Sequence, residues 1–471
     1  MKRNGLDGLT NKYTKEYKMK RRDFITKSSL LGASVPLGVA APTLLSSCSG
    51  TNDKSGSKKQ TPEELGMYSF VDIAPDGKPL KAALVGCGDR GTGAATNFLS
   101  AGPNISIVAL ADVLPDRMAG CRKVLSEKFN NNVDDDKCFI GFDSYKKIMD
   151  LNDIDLVLLC TPTHFRPDHF KAAIEAGKHV FMEKPCAVDP VGIRTVIASS
   201  KVAESKGLTV VTGNQRRHQR DYWEAYVEVR NGIIGDVVSA SSHWNQGAWW
   251  NKKQRPEWSD MEYCLRNWFN IKWLSGDHIL DQGIHNIDVA TWFMGELPER
   301  AVGFGGRARR LTGDIFDFFS VDYYYPKNKR MLHTARQIDD CDGNISEQIM
   351  GTKGIAKLHG GAMKIVDWED NTLWEYDYES KPVKNPYVQE HIHLIESIRL
   401  NKKINQAEDL AMSTLVAILG RESAYTGKSI NWGEIMASKL RYGPEVYEMG
   451  PLADYHEGVV PIPGKDPAAP M

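Results

Sequence analysis

Asp281 and His285 stand four residues apart in Leu280-Asp-Gln-Gly-Ile-His-Asn-Ile-Asp-Val-Ala-Thr-Trp-Phe-Met294. Apolar residues at 280, 284, 287 and 294, with Thr291 in register, mark a helical stripe, and the four-residue spacing predicts that carboxyl and imidazole share one face. An imidazole beside a carboxylate is a good general base near neutral pH, because the carboxylate orients the ring and stabilises its protonated form. The same pair also reads as a helix-surface contact or as two zinc ligands. Zinc is not expected, since no third and fourth ligand stand in an evident pattern; His278 is the nearby candidate. Lys184 lies between Glu183 and Pro185, just after the apolar run 179–182. An ammonium at a strand end can stabilise an alkoxide or a developing carbonyl oxygen. A plain surface lysine after a strand is the other reading.

Elements able to carry such groups are written around them. The run 81–85 suits a buried parallel strand and enters Gly86-Cys87-Gly88-Asp89-Arg90-Gly91, followed by a segment of helical composition. Glycines at this spacing permit a tight turn and bring backbone N–H groups close to a pyrophosphate at a helix N-terminus. A second strand, 105–111, ends in Asp112, 21 residues past the last glycine, where a carboxylate would accept hydrogen bonds from ribose hydroxyls. That carboxylate would repel a 2′-phosphate, so NAD is favoured over NADP, with Arg117 near enough to moderate the preference. Further strands, 154–160, 179–182 and 208–212, alternate with helices and predict a doubly wound parallel sheet of the Rossmann type. Gly86, Gly88, Asp89, Arg90, Gly91, Asp112, Thr161, Pro162, His164, Glu183, Lys184 and Asn214 all fall at the carboxyl ends of these strands, where ligands gather. His164 reads equally as a helix cap. Cys87, Cys160 and Cys186 read as small fillers.

From about residue 236 the pattern changes. The runs 237–243, 301–307, 316–325, 331–337, 355–359 and 363–368 read as strands without long helices between them, a mainly antiparallel sheet with one open face. Six of the eleven tryptophans lie between Trp244 and Trp273, interleaved with Asn245, Gln246, Arg255, Glu257 and Arg266. Flat aromatic faces beside bidentate polar groups suit carbohydrate; an inter-subunit contact or a core insertion is the alternative. Trp249, Trp250, Arg266 and Trp268, with Arg217, form the candidate substrate set.

Fifty-nine basic against 60 acidic residues in 471 leave a formal charge of −1, so there is no basic field to hold nucleic acid. With 41% hydrophobic and 25% charged residues, the chain is of ordinary globular composition, and eight cysteines without a CxxC pair are neither a disulfide scaffold nor a zinc or redox motif. Residues 1–48 read as an export signal: Arg21-Arg22-Asp23-Phe24-Ile25 resembles a twin-arginine motif and Leu45-Ser46-Ser47-Cys48 a lipobox, with Cys48 the lipidated residue. Pro36 and Pro42 interrupt an apolar stretch too short for a membrane span. Met19 is an alternative start. Residues 49–79 read as a flexible tether, with folded structure from Leu80.

GCGDRG, ALADV, CTPTHF, AGKHVFMEKP and GDHILDQGIHNIDVATWFMG, in that order over about residues 80–295, resemble the glucose–fructose oxidoreductase and inositol 2-dehydrogenase family (Gfo/Idh/MocA). EHIHLIESIRLNKKINQAEDLAMSTLVAILGRESAYTGKSI resembles that family's C-terminal helices. The resemblance implies a Rossmann domain at 80–214, an α+β substrate and oligomerisation domain at 215–432 and an extension at 433–471. It implies that Lys184, Asp281 and His285 are catalytic: His285 takes the proton of a sugar or polyol hydroxyl while hydride passes to NAD, and Asp281 orients the base or binds a neighbouring hydroxyl. Asn214-Gln-Arg-Arg-His218 resembles the segment that contacts cofactor and substrate, although its arginines also suit pairing with carboxylates. An exported enzyme meets little free nicotinamide nucleotide, so a tightly held, recycled NAD is expected, in a periplasmic or membrane-anchored lipoprotein that forms homo-oligomers through the open sheet. An NAD-dependent glycosidase acting by transient oxidation and elimination, and a non-catalytic sugar-binding lipoprotein, are the competing readings. The first of these branches does not keep the EKP lysine, which this chain has.

Overall fold

Alternate residues of Leu80–Val85 (β1) feed two separate hydrophobic clusters, Ala83 and Val85 on one side and Leu80, Ala82 and Leu84 on the other. A strand buried on both faces belongs in the middle of a parallel sheet. In the computed structural model, which describes residues 59–453, 455 and 457–464, that is where it lies. The other strands are Ile105–Asp112 (β2), Cys138–Ile140 (β3), Leu156–Leu159 (β4), His179–Met182 (β5) and Val210–Thr212 (β6). Their order is β3-β2-β1-β4-β5-β6, every pairing is parallel, and helices such as Asp89–Leu99 and Pro115–Phe129 make the crossovers. The strand order reverses between β1 and β4, so a crevice opens at their carboxyl ends.

The second sheet comprises Val237–Gln246 (β7), Arg300–Gly306 (β8), Phe318–Tyr324 (β9), Arg330–Gln337 (β10), Asn344–Gly351 (β11), Gly354–Leu358 (β12), Lys364–Asp367 (β13), Thr372–Glu375 (β14) and Ile430–Asn431 (β15). Its order is β14-β13-β12-β11-β7-β10-β9-β8-β15, and it is antiparallel except where β10 runs parallel to β7. The fold class is thus the expected one: a doubly wound parallel sheet, then a mostly antiparallel sheet. Strands β11, β14 and β15 were not in the expected set: Asn-Ile-Ser-Glu-Gln and Thr-Leu-Trp-Glu carry little β-branched or alternating character, and β15 is two residues long. One face of the sheet is buried by Phe319, Val321, Tyr323, Met331 and Ala335, while Phe304, Phe318 and Leu332 are exposed on the other.

Two expectations need correction. The helical stripe at 280–294 is two helices, His278–Asp281 and Ile284–Met294, broken at Gln282-Gly283, and all 11 residues of the second are buried. With no solvent side there is no stripe, only a core helix. The tether expected through residue 79 is packed well before Leu80. Met67, Tyr68 and Phe70 lie against the core, Ala74 is buried, and the Ala74 N–H donates to the Ala101 carbonyl at 2.8 Å. A run of apolar side chains, Met67-Tyr68 and Phe70, supplies area for burial that the preceding polar residues lack. Residues 1–48, with Cys48, lie outside the described residues.

Candidate functional site

The turn after β1 is built by three glycines with three different jobs. Gly86 has φ +96°; a side chain on Gly91 would place Cβ 1.8 Å from the Gly86 carbonyl oxygen; a Cβ on Gly88 would meet nothing within 4 Å. Gly86 makes the turn, Gly91 lets the helix Asp89–Leu99 pack against it, and Gly88 leaves bare backbone facing open space, the cradle a pyrophosphate needs. Asp112 stands at the end of β2 with its carboxylate oxygens accepting from the N–H groups of Cys87 (2.5 Å) and Leu114 (2.7 Å). The carboxylate is therefore fixed beside the turn, where ribose hydroxyls would meet it. Burial raises its pKa, and these backbone hydrogen bonds oppose the rise. The residues present fit a dinucleotide.

Lys184, Asn214, Arg216, Ile284, His285 and Asp288 converge on one small crevice. The Lys184 ammonium donates to the backbone carbonyl of Asp281 at 2.5 Å, and burial lowers its pKa while Asp281 and Glu183 act to raise it. The His285 ring stacks on Trp244, centroids 5.2 Å apart, and burial holds it well below the ordinary histidine range, helped by Lys184, Arg216 and Arg90. Trp244 lies on the buried face of β7. The next helix residue, Asn286, donates to the carbonyls of His243 in β7 (2.9 Å) and Ser346 in β11 (3.2 Å), which pins the helix that carries His285 across two strands.

The expected Asp281–His285 pairing is not what the chain forms. The Asp281 carboxylate accepts from Gln282 Nε2 at 2.9 Å, and the break at Gln282-Gly283 takes it off the face of the helix that begins at Ile284. What Asp281 offers Lys184 is its main-chain oxygen. Arg217 is likewise turned inward, gripping Asp288 through two hydrogen bonds of 2.9 and 3.0 Å, while Ser413 donates to the same carboxylate at 2.6 Å. The neighbouring Arg216 is the one in the crevice, paired with Glu347 of β11 and 5.7 Å from the Trp244 ring. Burial pushes the Glu347 carboxyl up to about 7 against the pull of Arg216.

Arg90 bridges Glu183 and Glu390, with Glu390 at 3.0 Å. Nothing in the sequence links Arg90 to Glu390, 300 positions away. His164 does not face the crevice: its Nε2 is 2.7 Å from the Tyr447 hydroxyl and its ring packs edge-on against Trp273 at 5.0 Å, with burial taking its pKa down to about 3. Thr161 Oγ1 lies 3.3 Å from His169 Nδ1, and Pro162 precedes a short turn of helix at Thr163–Phe165. Cys87 and Cys186 are buried fillers, as expected. Of the aromatic segment, Trp249 and Trp250 remain 40% and 36% exposed, grouped with Trp268 around Phe269. Arg266 is committed to Asp116 of the Rossmann domain in a bidentate pair (2.8 and 3.0 Å) and is unavailable to a substrate in this arrangement.

Comparison with known proteins bears on the fold and the family. Residues 80–213 match the model of an oxidoreductase family with an NAD-binding Rossmann fold, and residues 222–357 match the GFO/IDH/MocA C-terminal domain. The myo-inositol 2-dehydrogenase of Thermotoga maritima is 27% identical over 228 residues, 48% of this chain and 58% of that protein. A glycosyl hydrolase family 109 protein of Streptomyces coelicolor is 25% identical over 224 residues, 47% of this chain and 45% of that one. The matched regions thus span about half the length of such curated relatives. A solved levoglucosan dehydrogenase, in complex with NADH and levoglucosan, shares the fold with a TM-score of 0.60 at 17% identity, covering 75% of this chain and 99% of its own. With an NAD-binding Rossmann domain in front, the matching C-terminal domain behind and the crevice between them, the chain belongs to the Gfo/Idh/MocA oxidoreductase family.

Proposed function

We propose that this protein is an NAD-dependent dehydrogenase that oxidises a hydroxyl of a sugar, glycoside or polyol. The observation that carries the reading is the meeting of a Lys184 ammonium and a neutral His285 imidazole beside Asn214 and Arg216, at the strand ends next to the glycine cradle. NAD would be held by Gly86–Gly91 and Asp112, with its nicotinamide toward Lys184, and when bound it supplies the hydride acceptor. His285, held neutral, accepts the hydroxyl proton at a ring nitrogen. The Lys184 ammonium faces the oxygen on which charge develops, and the Asp281 carbonyl holds it in place. Arg216, backed by Glu347 and Trp244, presents guanidinium N–H groups to a neighbouring hydroxyl. Trp249, Trp250 and Trp268 suit the apolar face of a sugar ring, and Asn214 is a polar partner within the crevice.

The test is to denature purified protein, identify the released nucleotide and screen glycosides and polyols for cofactor reduction by absorbance. A protein that neither carries nor binds NAD rejects the reading. The likeness to a family 109 glycosyl hydrolase supports a second reading, a redox-neutral glycosidase in which the same oxidation is transient. Release of an aglycone without net NADH selects it. Export through residues 1–48, with lipid on Cys48, belongs to the proposal, and a tightly held NAD recycled between two sugars follows from it. A Cys48→Ser variant is then expected to leave the membrane fraction.

A further inference from the structure

Beyond the two cores of the Rossmann domain and the second sheet, a third apolar cluster lies apart. Met261, Cys264, Leu265, Trp273 and Leu274 form its buried centre. From the Rossmann domain it receives Val113, Phe142 and Phe165, each lying just beyond a strand end, of β2, β3 and β4 respectively. It is a roof laid across the carboxyl edge of the sheet, on the side where Asp112 marks the ribose position. Residues from far along the chain hold it down. The Leu452 N–H donates to Asp260 at 3.1 Å, the Met261 N–H to the Gly450 carbonyl at 3.1 Å, and Tyr447 meets His164 after β4.

At the rim of this roof, Arg266 forms its bidentate pair with Asp116, four residues past Asp112 in the first turn of the helix Pro115–Phe129. Glu262 accepts from the Arg266 Nε at 2.8 Å and Trp258 lies 5.2 Å below its guanidinium, so the fork is aimed before it pairs. The next residue of that helix, Arg117, reaches back to Asp89 in the glycine turn at 2.9 Å. A dinucleotide leaving on the adenosine side would pass beneath both ion pairs.

We propose that residues 258–266, tied down by residues 442–452, form a clasp over the adenosine half of the bound dinucleotide, latched by Arg266 on Asp116, which sets how long the nucleotide stays. The inference rests on the NAD-dependent reading above. Asp116 is 57% exposed at its side chain, so the latch is of surface-pair strength improved by bidentate geometry, and its loss is expected to speed release about three- to tenfold. The experiment loads the full-length protein with NAD, chases it with isotopically labelled NAD, and reads the bound fraction by mass spectrometry after denaturation. The unaltered protein is expected to keep its NAD through gel filtration. Arg266→Ala and Asp116→Asn should exchange faster by that factor, and the double variant Arg266→Asp/Asp116→Arg should return toward the unaltered rate. Single variants exchanging at the unaltered rate, or a double variant no slower than the singles, overturn the latch. A protein that binds NAD but releases it during gel filtration overturns the clasp alone. A protein that takes up no NAD overturns the functional reading and the clasp with it.

Discussion

Burial holds the His285 imidazole neutral, and Lys184, Arg216 and Arg90 push its pKa the same way, well below the ordinary 6.5. A base must be unprotonated to act, so the acid limb of kcat/KM should lie clearly below pH 6.5. In its proposed role Lys184 must be charged. Burial lowers its pKa from 10.5, so the alkaline limb should fall below pH 10.5 and the profile should be a bell between the two. An acid limb at 6.5 or above, in a kcat/KM series on the best substrate, would reject this assignment of roles. His285→Asn should cost about 10²- to 10⁴-fold in kcat/KM with the nucleotide content of the purified protein unchanged. Equal loss of nucleotide would mark the ring as structural. At this scale the sequence was partly readable. Lys184 and His285 line one crevice, whereas Asp281 meets Lys184 through its backbone carbonyl because a two-residue break, invisible to a count of apolar positions, intervenes. Arg216 and Arg217 are adjacent and chemically alike, and only the placement of Glu347 and Asp288 on separate elements decides which one faces the crevice.

Among the elements, the glycine turn was the most legible because its backbone needs leave no substitute. The three positions should nonetheless respond differently. Gly91→Ala forces a Cβ into the Gly86 carbonyl and should lower both thermal stability and NAD binding. Gly88→Ala meets nothing in the protein, so it should leave Tm within a degree or two while weakening NAD binding at least tenfold by filling the cradle. Calorimetry and NAD titration on the two variants separate these outcomes; equal effects on binding and Tm at both positions would argue against the cradle. The aromatic segment was the least legible element. Tryptophans beside arginines suit a sugar, and Trp249 and Trp250 remain open to one, but Arg266 spans 150 positions to Asp116 and Trp258 braces it. Periodicity carries no information about partners so distant. The same holds for residues 67–74, whose burial depends on a groove made by helices hundreds of residues later, where His393 Nε2 donates to the Ser69 carbonyl at 2.9 Å.

For the molecule as a whole, buried uncharged histidines govern acid stability. Burial depresses the pKa of His218, His278, His285 and His391 far below 6.5. Below pH 6.5 the unfolded chain binds protons at these rings that the folded chain does not, so stability is greatest above that pH and declines as pH falls. Each ring contributes up to about 1.4 kcal/mol per pH unit in that window. Glu347, raised to about 7, and Asp314, raised to about 6, act in the opposite sense but are outnumbered, so Tm should drop between pH 6.5 and 5, and a rising Tm across that range would contradict the burial. The open face of the second sheet, with Phe304 68% and Leu332 42% exposed, is the proposed surface for self-association. Leu332→Asp should shift the molecular mass toward the monomer in light scattering, and an unchanged mass would exclude this face.

The roof over the Rossmann crevice also imposes an order in time. The glycine turn and Asp112 precede Tyr442, Tyr447 and Leu452 by more than three hundred residues, and a ribosome adding about 5–20 residues per second needs tens of seconds to travel that distance. During that interval the cradle exists as sequence with no cover, open to nucleotide from the surrounding pool. With the proposed clasp, loading and enclosure would thus be separated by the length of the chain itself, with the cofactor in place before the residues that would hinder its entry have been made.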